Sequence, residues 1–100
     1  MGKCFEFRDA FPPIQDVIEE LCQRTGEADH DAIVTELIKH KLGSLVVEEA
    51  VARCPEHTKE NIAGNMVDWL SKEYKMGRLS DFEARFKRRK LNKTWAYSRR

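Results

Sequence analysis

DFEARFKRRKLNKTWAYSRR, residues 81 to 100, sets eight basic side chains against two acidic ones and interleaves them with Phe82, Phe86, Leu91, Trp95 and Tyr97. Disordered basic arms are poor in large apolar residues, so a basic segment studded with aromatics reads as a folded element. Asn92-Lys93, between Arg89-Lys90-Leu91 and Thr94-Trp95-Ala96-Tyr97, resembles a two-residue hairpin turn. With those two residues as the loop, Leu91 faces Thr94, Lys90 faces Trp95 and Arg88 faces Tyr97, which sets cations beside rings across the ladder. A lysine where glycine is usual leaves a longer turn, with different pairs, equally open. Upstream, Phe82 and Phe86 share a face either at i,i+4 of a helix or at even spacing in a strand. Ser80 followed by Glu83 is a capping-box pattern that favours a helical start. Residues 80 to 91 can therefore be strand or short helix, and a terminal β-hairpin is the preferred reading.

Working towards the amino terminus, punctuation divides the chain into four helices. Pro12 and Pro13 open the first, whose apolar positions Ile14, Val17, Ile18, Leu21 and Cys22 recur at helical spacing until Gly26 offers a left-handed stop. Asp29 is placed to cap a second, with Ile33, Val34, Leu37, Ile38 and Leu42 as its apolar stripe and Gly43 as its end. Ser44 is placed to cap a short third helix using Leu45, Val46, Ala50 and Val51, which Cys54-Pro55 breaks. Thr58 caps a fourth that runs to about Lys75, and Gly77 ends it. No repeat, linker or low-complexity segment interrupts the chain, so one domain over residues 1 to 100 is expected. Its parts are an added helix at 12–26, a helical core at 29–77 and a basic hairpin at 81–100.

One hundred residues can enclose a single core but not a deep active site built on several layers. No apolar run approaches the roughly 20 residues that a membrane span requires. The first residues, with Glu6, Arg8 and Asp9, lack the apolar stretch of a secretory signal. Cys4, Cys22 and Cys54 are few and widely spaced, which suits reduced, buried thiols and a cytosolic setting. The net charge of +1 hides an asymmetry: the last twenty residues carry +6 and the first eighty −5. Such a distribution implies a polyanionic partner.

Three helices, the latter two joined by a short turn and followed by a basic hairpin, resemble the winged helix-turn-helix family. The resemblance covers residues 29 to 100, with Val46 to Cys54 as the positioning helix, Pro55-Glu56-His57 as the turn, Thr58 to Lys75 as the recognition-type helix and Arg85 to Arg99 as the wing. It implies a mainly α fold with a small C-terminal β-hairpin, a three-helix core plus an extra amino-terminal helix, and binding to double-stranded DNA. A helix that enters a major groove needs an apolar face for the core and a polar face for base edges. At about 100° per residue, Ile62, Met66, Trp69, Leu70 and Glu73 share one side, while Asn61, Gly64, Asn65, Asp68, Ser71, Lys72 and Lys75 occupy the other. Asparagine suits adenine edges and lysine suits phosphate or guanine, so Asn61, Asn65, Lys72 and Lys75 are the candidate contacts. Asp68 and Glu60 would repel phosphate unless paired, Asp68 for instance with Lys72. The competing reading is an ordinary solvated helix face.

In the hairpin, Arg85, Lys87, Arg88, Arg89, Lys90 and Lys93 place six cations within nine residues. Protection of a sheet edge explains some of them but rarely needs so many. Contact through these groups is expected to be phosphate-dominated and salt-sensitive. Trp95 and Tyr97 invite base stacking, although a small domain needs its aromatics in the core. No metal site is expected, because the C-x-x-H spacing of Cys54 and His57 has no second ligand pair to complete it. Neither a glycine-rich phosphate loop nor a nucleophile elbow occurs, so no cofactor, no small-molecule substrate and no enzymatic reaction are expected. The alternative from another class is a protein-interaction module. Ile14, Val17, Ile18 and Leu21 can form a symmetric homodimer interface, or else pack within the chain over its own core.

Overall fold

The computed structural model describes residues 6 to 100. A 3-10 turn at Phe7–Ala10 leads into α1 (Phe11–Thr25), which has its two prolines in the first turn, where backbone N–H groups lack helical partners. Gly26 closes α1 at φ 87°, its N–H donating to the Cys22 carbonyl at 2.9 Å. The α2 helix (His30–Lys39) starts as expected, with Asp29 accepting from the Ala32 N–H at 2.8 Å.

The end of α2 differs from expectation. It stops at His40, where ψ swings to 142°, and Gly43 lies inside the first turn of α3 (Lys41–Arg53). The cap of α3 is His40 rather than Ser44: its Nδ1 accepts from the N–H groups of Leu42 at 3.2 Å and Gly43 at 3.0 Å. Leu42 consequently leaves the α2 stripe and is 50% exposed.

Cys54-Pro55 ends α3, and Thr58 caps α4 (Lys59–Lys75) by accepting from the Asn61 N–H at 3.1 Å. Met76 and Gly77, the latter at φ 71°, close α4. Both alternatives for residues 80 to 91 then occur in succession: α5 (Ser80–Arg85) runs directly into β1 (Phe86–Leu91), which pairs with β2 (Thr94–Arg99). The hairpin is thus shorter than 81–100, and Arg85 belongs to α5. Only half of the capping box forms, since Leu79 is the cap residue and the Glu83 carboxylate accepts its N–H at 3.3 Å.

The hairpin has the expected register, Leu91 opposite Thr94, Lys90 opposite Trp95 and Arg88 opposite Tyr97. Asn92 takes the left-handed conformation, φ 53°, that a two-residue turn demands. Ala28, between α1 and α2, pairs with Tyr97 through two 2.8 Å backbone hydrogen bonds and covers the outer edge of β2. The fold is mainly α with a C-terminal antiparallel hairpin, α2 to α4 forming the core and α1 packing over it.

Phe82, Phe86 and Tyr97 join the hairpin to that core, Phe82 stacking on Phe86 at 4.8 Å between centroids and meeting Tyr97 edge-on at 5.7 Å. Ile14, Val17, Ile18 and Leu21 are buried among the same residues, none more than 6% exposed. They cannot also form the homodimer surface expected at residues 14 to 21, because an amphipathic helix has one apolar face and here the chain's own core uses it.

The thiols also need correction. Cys22 is free and buried, and burial pushes its thiol above the ordinary value despite nearby Arg99. Cys54 is buried but disulfide-bonded, so reduced thiols no longer support a cytosolic setting. Cys4 lies outside the described residues. Among the described residues, no helix is long and apolar enough to cross a membrane.

Candidate nucleic-acid interface

The angular layout expected of α4 holds for Ile62, Met66 and Leu70 but not for Trp69, which is half-buried at the rim beside Asn65, Asp68 and Lys72, nor for Ser71, which is half-buried against the hairpin. Ile62, Met66 and Leu70 are buried, while Asn61, Asp68, Lys72 and Lys75 form an exposed stripe flanked by half-buried Asn65 and Ser71. The stripe is not uniformly available to a ligand. The Asn61 side-chain oxygen lies 2.6 Å from His57 Nδ1, which ties that amide to the turn before α4. Asp68 sits 3.8 Å from His30 Nδ1 and does not pair with Lys72 as the i,i+4 spacing suggested. Lys72 and Lys75 have no carboxylate partner among the described residues.

The two faces of the hairpin divide its cations. Arg88 and Lys90 share a face with Trp95 and Tyr97, whereas Lys87 and Arg89 project from the other. Arg88 is half-buried between aromatic rings, its guanidinium 3.8 Å from the centre of Trp95 and 4.5 Å from that of Tyr74. Its Nη1 donates to the Ser71 carbonyl at 3.1 Å, and the Tyr97 hydroxyl meets Ser71 Oγ at 2.9 Å. Ser71 is therefore the joint between α4 and the hairpin, and Arg88 is the strut that holds the two together. The expected closeness of cations and rings is present, yet it spends Arg88 on the fold and closes Trp95, which also has the Lys90 ammonium 4.8 Å from its ring centre. Tyr97 is fully buried, so neither ring is a stacking platform.

Arg89 reaches across buried Ala96 to Glu27, with paired hydrogen bonds of 2.6 and 2.8 Å. This contact holds the Glu27 carboxyl below the ordinary carboxylate value. Arg85 and Arg99 both approach Glu19, at 3.7 and 3.5 Å, and the Arg100 Nε donates to the Glu83 carbonyl at 2.6 Å. Of the six hairpin cations proposed from sequence, Lys87, Arg88, Lys90 and Lys93 lack a carboxylate partner among the described residues, and Arg88 is instead held by the Ser71 carbonyl and two rings. Sequence inspection missed the strut. Arg88 and Ser71 are 17 residues apart and Arg89 and Glu27 are 62 apart, so no local spacing signals either pair.

Burial pushes the Tyr97 phenol above its usual value, although Ser71 and Arg88 oppose the shift. A folded-state value raised above the unfolded one leaves stability constant below the unfolded value of 10.0 and erodes it as pH rises beyond that point. Alkaline unfolding followed by circular dichroism is accordingly expected to begin above that pH, together with phenolate absorbance from Tyr97. A Tyr97 that ionises fully while the helices stay intact would contradict its place in the core.

Comparison with known protein families, curated proteins and solved structures yields no match to this chain.

Proposed function

We propose that this protein is a non-enzymatic nucleic-acid-binding module that grips the phosphate backbone of double-stranded DNA, in the manner of the winged helix-turn-helix domains it resembles. The observation that supports the reading is the joint at Ser71. Arg88 and Tyr97 set the hairpin face bearing Lys90 beside the α4 stripe bearing Lys72 and Lys75, and Lys93 stands in the turn of the same hairpin, near Asp29, His30 and Asp31. Those four ammonium groups without carboxylate partners are the phosphate contacts, and Asn65 is the side chain placed for a base edge. Lys87, on the opposite hairpin face, contributes field rather than contact. Arg85, Arg88 and Arg89 leave the contact set because the fold employs them. Asn61 leaves it as well, since its amide is held by His57. Pairing of copies through residues 14 to 21 forms no part of the proposal.

Fluorescence anisotropy of a labelled random duplex tests this directly. Changing Lys72, Lys75, Lys90 and Lys93 together to glutamine is expected to abolish micromolar binding at low salt while leaving the helical circular dichroism spectrum unchanged. Duplex affinity unaltered by the four changes would remove the reading.

Arg89 supplies a second, opposite-signed prediction. Glu27→Gln frees the Arg89 guanidinium from its carboxylate on the face that carries Lys87, so duplex affinity should rise modestly through the added positive field while the number of phosphate contacts stays the same. Because Glu27 is held below the usual carboxylate range, the pair's contribution to stability is complete at neutral pH and is lost only as acid protonates Glu27. Lower affinity in Glu27→Gln would mean that the pair orders the hairpin for binding.

One observation favours a protein-interaction reading instead: Leu42 and Leu45 stand 50% and 61% exposed on the outer face of α3. A partner bound there would be insensitive to salt and sensitive to Leu45→Glu, the reverse of what is expected for the lysine stripe.

A further inference from the structure

We infer that a niche on the outer side of α4, lined by Phe7, Asn65, Asp68, Trp69 and Lys72, takes one unpaired, amine-bearing nucleobase of a strand adjoining the bound duplex. The inference rests on the proposed nucleic-acid reading of α4 and the hairpin and adds a subsite to it. The niche is an open surface depression of about 290 Å³, at the small end of ligand sites and on the scale of one nucleotide.

Its walls are aromatic and its rim is polar. Trp69 is half-buried and meets Phe11 edge to face at 6.2 Å, and Phe7, also half-buried and with a further contact of its own, lines the niche beside it. Every base has a π-face, so the Trp69 ring accepts a base without regard to sequence. Trp95 and Tyr97, the aromatics that first suggest stacking, are closed by Arg88, Lys90 and the core. Among the described residues Trp69 is thus the tryptophan that lines a niche, and it does so on the side that carries Lys72.

The rim sets the class of base. The Asp68 carboxylate is 70% exposed and is purely an acceptor, and the Asn65 side-chain amide has no hydrogen-bond partner among the described residues. A carboxylate accepts from the exocyclic amine of cytosine and is repelled by the carbonyl that thymine presents at the same position. Lys72 supplies the cation for the adjoining phosphate and offsets the repulsion between that phosphate and Asp68. The shared chemistry of an amine-bearing base with a phosphate also belongs to a free nucleotide, so the test must separate strand from monomer.

Trp95→Phe leaves Trp69 as the sole tryptophan of the chain and thus as a fluorescent reporter of the niche. Three labelled duplexes of one sequence are compared: blunt, with an oligo-dC extension, and with an oligo-dT extension. The cytosine extension is expected to bind about tenfold more tightly than the thymine extension and to quench Trp69. Asp68→Ala should erase that preference while blunt-duplex affinity stays at or above that of the parent, and Asn65→Ala should erase it too, whatever that substitution does to the blunt duplex. Equal binding of the two extensions, or a preference that survives both substitutions, overturns the niche and leaves the duplex reading standing. Failure of the blunt duplex alone, with quenching by the cytosine extension retained, overturns the duplex reading and leaves the niche. Cytidine monophosphate that binds as tightly as the extended duplex overturns the strand as the ligand.

Discussion

Replacing Gly43 by alanine is expected to destabilise the fold by about 3 kcal/mol, a fall in Tm of roughly 15 °C for a domain of this size. A Cβ at position 43 would collide with the Leu37 carbonyl oxygen, stand 2.8 Å from Leu37 Cδ1 and 3.0 Å from His40 Cβ. The first of these is backbone and cannot rotate away. Leu37 itself is fully buried, so the collision is transmitted to the core rather than relieved at the surface. Conformational freedom is not the reason for glycine here, because the residue lies in the first turn of α3 with an ordinary helical role. The reason is the abrupt change of direction at His40, which brings the start of α3 against the end of α2. Thermal denaturation monitored by circular dichroism measures the effect. A Gly43→Ala protein with the parent Tm would show that the two helices meet less closely than described.

Arg88→Ala is the second large effect, also about 3 kcal/mol, and it should appear as lost stability before it appears as lost binding. The guanidinium makes one charge-assisted hydrogen bond to a backbone carbonyl, worth roughly 1.5–3 kcal/mol, and lies against two rings, each cation–π contact worth roughly 0.5–2 kcal/mol when partly desolvated. Partial exposure of the site holds the total near the lower part of that range. Arg88→Lys should recover less than half, because an ammonium reaches Ser71 without the planar stacking on Trp95 and Tyr74. Urea denaturation of both variants beside Lys90→Gln, which removes a cation from the same face, separates the structural from the electrostatic role. Equal midpoints for Arg88→Ala and Lys90→Gln would contradict the strut. A charge change at Arg88 is for this reason a poor probe of nucleic-acid contact.

What could be read in advance follows from how local each signal is. Asp29 and Thr58 are short polar side chains directly before apolar periodicity, and both cap as that pattern implies. The hairpin register was legible because two residues, one an asparagine that tolerates a positive φ, separate two strand-like runs. The α2–α3 boundary was not, since histidine is an uncommon cap and a glycine at the end of an apolar stripe usually marks a stop. Residues 80 to 91 gave two valid signals, helix from Ser80 and Glu83 and strand from Phe86 onward, and the chain follows each in turn. The candidate site was legible as a charge density but not as an inventory of free groups. Whether a cation is free depends on Glu27, Glu19 and the Ser71 carbonyl, which the tertiary fold alone brings to the hairpin. The niche beside Trp69 was hidden for the same reason, as Phe7 reaches it from a different element.

In the proposed function, Lys72, Lys75, Lys90 and Lys93 act as one phosphate-contacting surface of α4 and the hairpin. The measurement that tests it most directly is the salt dependence of duplex binding, followed by anisotropy of a random labelled duplex from low to physiological ionic strength. Four phosphate contacts predict a plot of log K against log salt with slope about −3 to −4, falling towards zero when the four lysines are replaced by glutamine. A slope near zero for the unaltered protein, or no binding at low salt, would rule out a phosphate-contacting lysine surface.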